Sequence, residues 1–261
     1  MKKRVIFATL IAFVLLLAVV AAGLNAVFTV TKVTPVFTVF SEEGKKDAQE
    51  LEEKLNSFKG KSTTFLKLND VKEVVEAYPC FRVDEIKKSF PNEIKVRVTE
   101  RNALFAYESE TGYTVLDDEG FCLFIGREDL SNRSGGDNIL LRGFKICAPL
   151  GGVVEGKFFD ELLEMFSVFR ESFPAVRANV VSVTLKYRGA DRDENYEFSV
   201  LMREGVTLRI ADPLHRPAEK AACAVEKFLS LEDGQKAFGY VTVVERETGD
   251  LVAGYRAENP N

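Results

Sequence analysis

A chain of 261 residues with 46% hydrophobic and 29% charged side chains is neither an intrinsically disordered polymer nor a protein wholly embedded in lipid. Its formal net charge of −5 argues against nucleic acid as the main partner, and 21 Phe without a single Trp predict an aromatic-rich core.

The first predicted element is apolar. Residues 5–28, VIFATLIAFVLLLAVVAAGLNAVF, carry no charge. As a helix they would rise about 36 Å, enough to cross a hydrocarbon core of about 30 Å. Lys2, Lys3 and Arg4 flank one end and the next cation is Lys32, so the positive-inside rule places residues 1–4 in the cytoplasm and the remainder outside. All 40 acidic residues and 32 of the 35 Lys and Arg lie beyond the segment, which leaves that part at net −8. A cleaved signal peptide is the alternative: Ala21, Ala22 and Ala26 would suit a peptidase, but the apolar core of such peptides runs only about 7–15 residues. The uncleaved anchor is the favoured reading.

Beyond it, FTVTKVTPVFTVF (residues 28–40) reads as extended. Ala48, Leu51, Leu55 and Phe58 recur at helical spacing, and Gly60 ends that helix. A second helix carries Val71, Val74, Val75 and Tyr78, with Asn69 as its expected N-cap and Pro79 as its stop. Residues 81–90 and 93–107 read as strands around the Pro91-Asn92 turn. In the second strand Ile94, Val96 and Val98 should face the helices, while Lys95, Arg97 and Arg101 should face water. The order β-α-α-β-β is that of a compact α+β module.

From residue 113 the texture changes. TVLDDEGFCLF predicts a hairpin about Asp118-Glu119-Gly120, and residues 127–137 a polar loop. FFDELLEMFSVFRESF presents Leu162, Phe166, Phe169 and Phe173 at helical spacing, closed by Pro174. VVSVTLKY, YEFSVLM and VTLRI alternate as strands. RPAEKAACAVEKFL is a helix with Pro217 near its first turn, and YVTVVE and LVAGY form a last strand pair around Thr248-Gly249-Asp250. The tail from residue 256 is loose. Cys80, Cys122, Cys147 and Cys223 form no Cys-x-x-Cys pair and sit among apolar neighbours, which favours small buried residues over a metal site.

Catalytic patterns are weak. His215 is the one histidine, no Gly-x-Ser-x-Gly elbow accompanies it, and it stands beside a helix start where capping or surface roles are common. Asp117-Asp118-Glu119-Gly120 could suggest cation binding, but no further acids follow at EF-hand spacing and the residues suit a turn. Gly135-Gly136 and Gly151-Gly152 lack the Lys-Ser/Thr of a phosphate loop. The expectation is a protein that is not an enzyme and has no cofactor and no metal.

Several stretches fall in a familiar order. FTVTKVTPVFTV is followed by FLKLNDVKEVVEAYPCFRVDEIKKSFPNEIKVRVTER, then YTVLDDEGFCL, then GVTLRIADPLHRPAEKAACAVEKFL with Lys220. Together they resemble the FtsQ/DivIB family of bacterial cell-division proteins, most closely over residues 60–125. The chain departs where the family often has Pro after Glu-Arg, since Ala103 stands near that place, and SEEG is displaced from the usual turn spacing. The resemblance implies a cytoplasmic tail (1–4), a transmembrane helix (5–28), a POTRA-like domain (29–101), a larger mixed β-sheet domain with two helices (102–255) and a short tail (256–261). It also implies a non-enzymatic scaffold at the division septum, which binds FtsL-type and FtsB/DivIC-type bitopic proteins and helps control septal peptidoglycan synthesis. Partner binding is expected on the last strands, with Tyr240, Thr242, Val244 and Tyr255 as candidate residues. A POTRA-bearing export or chaperone adaptor is the alternative, although no run of amphipathic barrel strands follows; an exported wall enzyme is a third reading.

Overall fold

The computed structural model describes residues 11, 13–17, 23, 27–109, 112–131, 136–189 and 195–257. Most of the apolar segment 5–28, and the end of the 256–261 tail, lie outside the described residues. Among the described residues no helix is long and apolar enough to cross a membrane. The architecture is mixed α+β, and the chain divides into two compact units at Glu100/Arg101.

The first unit contains β1 (Lys32–Thr38), α1 (Glu42–Asn56), α2 (Leu68–Glu76), β2 (Phe81–Ser89) and β3 (Glu93–Glu100). Its sheet has the order β1-β3-β2, with β1 parallel and β2 antiparallel to the central β3. Alternation along β3 buries Ile94, Val96 and Val98 against Leu51 and Leu55 of α1 and Val71 and Val75 of α2. Lys95 and Arg97 stand exposed on the other face. Asn69 does not cap α2: the helix starts at Leu68 after Lys67, so Asn69 sits inside its first turn. For α1 the cap is Ser41, whose Oγ accepts from the Gly44 N–H at 2.8 Å.

Glu100 ends this unit. It is 4% exposed, and its carboxylate accepts from Phe40 N at 2.6 Å, Ser41 N at 3.0 Å and Ser41 Oγ at 2.5 Å. The last residue of β3 therefore satisfies amides at the start of α1, where a negative charge also meets the helix dipole favourably. Gly44 makes this approach possible, because a Cβ there would lie 2.3 Å from Glu100 Oε2.

The second unit is built on one nine-stranded mixed sheet in the order β14-β13-β12-β11-β10-β7-β4-β5-β6. Its strands are β4 (Ala103–Ser109), β5 (Gly112–Asp117), β6 (Cys122–Gly126), β7 (Ile139–Arg142), β10 (Val180–Tyr187), β11 (Tyr196–Met202), β12 (Thr207–Ala211), β13 (Tyr240–Glu245) and β14 (Leu251–Arg256). Two-residue strands β8 (Ile146–Cys147) and β9 (Glu155–Gly156) make a separate ribbon. The long helices are α3 (Phe159–Ser172) and α5 (Pro217–Leu229), with single turns α4 (Val176–Asn179) and α6 (Asp233–Lys236). Phe159, Phe166 and Phe169 of α3 and Phe228 of α5 join Phe105, Phe198, Leu208 and Val241 of the sheet in one core. Edge-to-face packing of Phe105 on Phe166, 4.8 Å between ring centres, is typical of this aromatic interior.

Two sequence expectations need correction here, and one strand had no sequence expectation. Arg101 does not face water: its side chain is 13% exposed, donates to the buried Asp117 Oδ2 at 2.5 Å, and lies 4.0 Å over the Phe121 ring. The cysteines are not uniformly buried, since Cys122 is buried, Cys80 and Cys223 half-buried and Cys147 exposed on the two-residue ribbon; none forms a disulfide. The segment after the polar loop is a strand, β7, which pairs in parallel with both β4 and β10. Four residues, ILLR, are too few to show a period, so only their neighbours reveal them as a strand.

Candidate interaction site

The last two strands form an antiparallel hairpin pairing Tyr240 with Arg256 and Glu245 with Leu251, and among the described residues no strand pairs with the far side of β14. Arg246 N donates to Asp250 O at 2.9 Å across the turn. Ladder alternation then turns the backbone groups of Val252, Gly254 and Arg256 toward β13, and those of Leu251, Ala253 and Tyr255 outward. One outward group is engaged: the Ala253 N–H bonds to the Cys223 sulfur of α5, partly offsetting the burial that raises that thiol's pKa. The rest of the edge is a row of donors and acceptors of the kind an added strand can satisfy.

Period-two alternation also sorts the candidate side chains. Tyr240, Thr242 and Val244 lie on one face of the sheet, while Tyr255, paired with the buried Val241, lies on the face covered by α5. Tyr255 donates its hydroxyl to Phe238 O at 3.2 Å. It therefore braces the hairpin, and it also borders, with the other three, an open groove of about 410 Å³.

Four arginines in that groove escaped the sequence reading: Arg188, Arg209, Arg246 and Arg256. Arg209 stands in the middle of β12, Arg256 at the end of β14, Arg188 just after β10 and Arg246 in the β13–β14 turn, so only the sheet order brings them together. The guanidinium of Arg209 lies 3.8 Å over the Tyr240 ring. Glu197, 1% exposed on β11, accepts from Arg188 Nη2 through Oε1 at 3.0 Å, with Oε2 at 2.8 Å from the same nitrogen. Burial raises the Glu197 pKa, opposed by Arg188, Arg209 and Lys186. One buried carboxylate among these guanidinium groups leaves the groove cationic in a chain that is acidic overall.

The remaining candidates are fixed in structural positions. His215 is half exposed, with Nε2 at 3.3 Å from Glu245 Oε2. Beside it Arg216 donates through Nη1 to Gly249 O at 2.9 Å and Glu245 Oε1 at 3.3 Å, which ties the β13–β14 turn to the start of α5. Lys220 is 5% exposed and donates to the carbonyls of Ala211 at 3.1 Å and Asp212 at 2.9 Å, holding α5 to the end of β12. Burial lowers its pKa, with Asp212 and Glu245 acting in the opposite direction. Asp117 accepts from the amides of Glu119 and Phe121 and from Arg101, so its oxygens are spent on the hairpin turn; burial nonetheless raises its pKa. Among the described residues no group of three or more His, Cys, Asp or Glu could hold a metal ion.

No family model matches the chain. Among curated proteins, the cell division protein DivIB of Clostridium tetani (strain Massachusetts / E88) is 23% identical over 157 residues, 54% of this chain. The chain is thus similar in sequence to a DivIB cell division protein. That match spans 59% of the length of the DivIB protein. Among solved structures, the major extracytoplasmic domain of DivIB from Geobacillus stearothermophilus (trans isomer) covers 51% of this chain and 98% of its own, at 16% identity and a TM-score of 0.29. A superposition that loose does not bear on the fold.

Proposed function

We propose that the protein is a non-enzymatic, membrane-anchored scaffold of the bacterial division machinery that captures partners by strand addition to β14. In this reading residues 5–28 span the membrane, 29–101 form a POTRA-like domain, 102–255 form the β domain, and both domains lie outside the cytoplasm. The partners are FtsL-type and FtsB/DivIC-type bitopic proteins, and the complex helps control septal peptidoglycan synthesis. One observation carries the proposal: in a chain similar to DivIB, the largest sheet ends in β14, whose outer edge pairs with no other strand among the described residues. Backbone pairing would supply affinity, and alternate side chains would supply register and choice of partner. A cationic groove flanked by Tyr240, Thr242 and Val244 suits a partner strand with acidic side chains on the facing side.

The test is affinity capture of the tagged full-length protein from native membranes, beside a Leu251→Pro variant. Proline at 251 removes an outward N–H from the edge without touching the β13 ladder. Small bitopic coiled-coil proteins should be recovered with the parent and lost with the variant. Equal recovery from both would refute edge pairing, and normal septation on depletion would refute the division role.

A further inference from the structure

The end of the first unit where the chain enters from residue 27 is unlike the rest of its surface. Phe28 accepts from Thr63 N through its carbonyl, and its ring packs edge-on against Phe90, 6.3 Å between centres. Thr31 N and Lys32 N both donate to Asn92 O, so the β2–β3 turn sits at this same end. Lys88 donates to Thr64 O at 3.3 Å, which brings the loop before α2 alongside. Phe65 is 84% exposed there, Phe90 63% and Val27 51%. Lys59, Lys61 and Lys67 stand within six residues of Phe65 in the chain, Lys61 with its Nζ 4.3 Å over the Phe58 ring, and Lys88 reaches the same loop; residues 54–69 hold no acid, although the chain beyond residue 28 is net −8. Protruding phenyl rings with lysines close by in the chain, at one end of an otherwise acidic protein, fit a lipid interface, where rings enter the acyl boundary and lysines reach phosphates. The uncharged run of 24 residues that ends at Phe28 brings this end to a bilayer.

We infer that this end of the first unit docks into an anionic membrane surface, with Phe65 and Phe90 inserted and Lys59, Lys61, Lys67 and Lys88 contacting lipid phosphates. The inference rests on residues 5–28 being the retained anchor. Docking of this kind would hold the first unit at a set orientation to the bilayer, which a single spanning helix alone does not do.

The absence of Trp provides the test. Full-length Phe65→Trp, Phe90→Trp and Phe40→Trp variants each carry one reporter, the last on the exposed Phe40 beyond the other end of β1. They are placed in phosphatidylcholine nanodiscs with brominated acyl chains, with and without phosphatidylglycerol. Emission from positions 65 and 90 should shift to the blue and be quenched when phosphatidylglycerol is present, while position 40 stays water-exposed. Changing Lys61 and Lys67 to Gln in the Phe65→Trp background should lower the docked-to-free ratio about five-fold per lysine. An anchored chain whose position-65 reporter is unquenched, or whose position-40 reporter is quenched equally, overturns the docking alone. Release of the parent chain from native membranes by alkaline carbonate overturns the anchor and the docking together.

Discussion

Replacing Glu100 by Ala should unfold the first unit under conditions where the second stays native. The carboxylate receives three hydrogen bonds, from the amides of Phe40 and Ser41 and the hydroxyl of Ser41, in a site that is almost closed to water. Hydrogen bonds to a charged group contribute about 1.5–3 kcal/mol each, and buried donors left unpaired carry their full desolvation penalty. The three share one acceptor group and do not add, so we expect a loss of about 3–5 kcal/mol. For a unit of this size each kcal/mol moves the midpoint by about 4–8 °C, so the transition should fall by more than about 10 °C. Amide exchange resolved along the chain is the assay: protection should collapse across β1, α1, α2 and β3 and persist in the strands of the second unit. Gly44→Ala provides an independent check, because its Cβ would displace the carboxylate that Glu100→Ala deletes. A change below about 1 kcal/mol in Glu100→Ala would refute the assignment of the carboxylate as the clasp between β3 and α1.

Other expectations follow from the buried charges of the second unit. Arg101→Ala strands the Asp117 carboxylate, 3% exposed, without its ion-pair partner, and should lower the unfolding free energy of that unit by about 3–5 kcal/mol in urea titrations; Arg101→Lys should recover only part, because a lysine does not stack on Phe121 in the same way. Glu197 has its folded pKa raised above the ordinary 4.5, so the native state holds that proton to higher pH than the unfolded chain does. Its contribution is complete below about 4.5 and is lost as pH rises through the folded pKa. Glu197→Gln stays neutral, so its unfolding free energy relative to the parent should rise with pH across that window; a flat difference would show that burial does not govern this carboxylate.

Periodicity was enough to find most elements. The stripe Ala48, Leu51, Leu55 and Phe58, the alternation of Ile94, Val96 and Val98, and the Phe-rich α3 each encode one buried face, and one buried face needs no knowledge of its partner. The hairpin at Asp118-Glu119-Gly120 was legible for the same reason, since turn chemistry is local. The N-cap of α2 was misplaced because Lys67 caps it without a side-chain hydrogen bond, and no residue type marks such a start.

What the sequence by itself determined was the set of amphipathic segments, the turns between them, and the charge difference between the apolar run at residues 5–28 and the acidic remainder. Which strand stands at the edge was decided only in three dimensions, because strand order depends on long-range pairing. A local period cannot say that β14 is last, or that β7 lies between β4 and β10. The same holds for charge. Arg97 and Arg101 are alike as letters, yet one is exposed beside Glu85 and the other is buried over Phe121 against Asp117. Arg188, Arg209, Arg246 and Arg256 become one cationic groove only when the strands that carry them lie side by side.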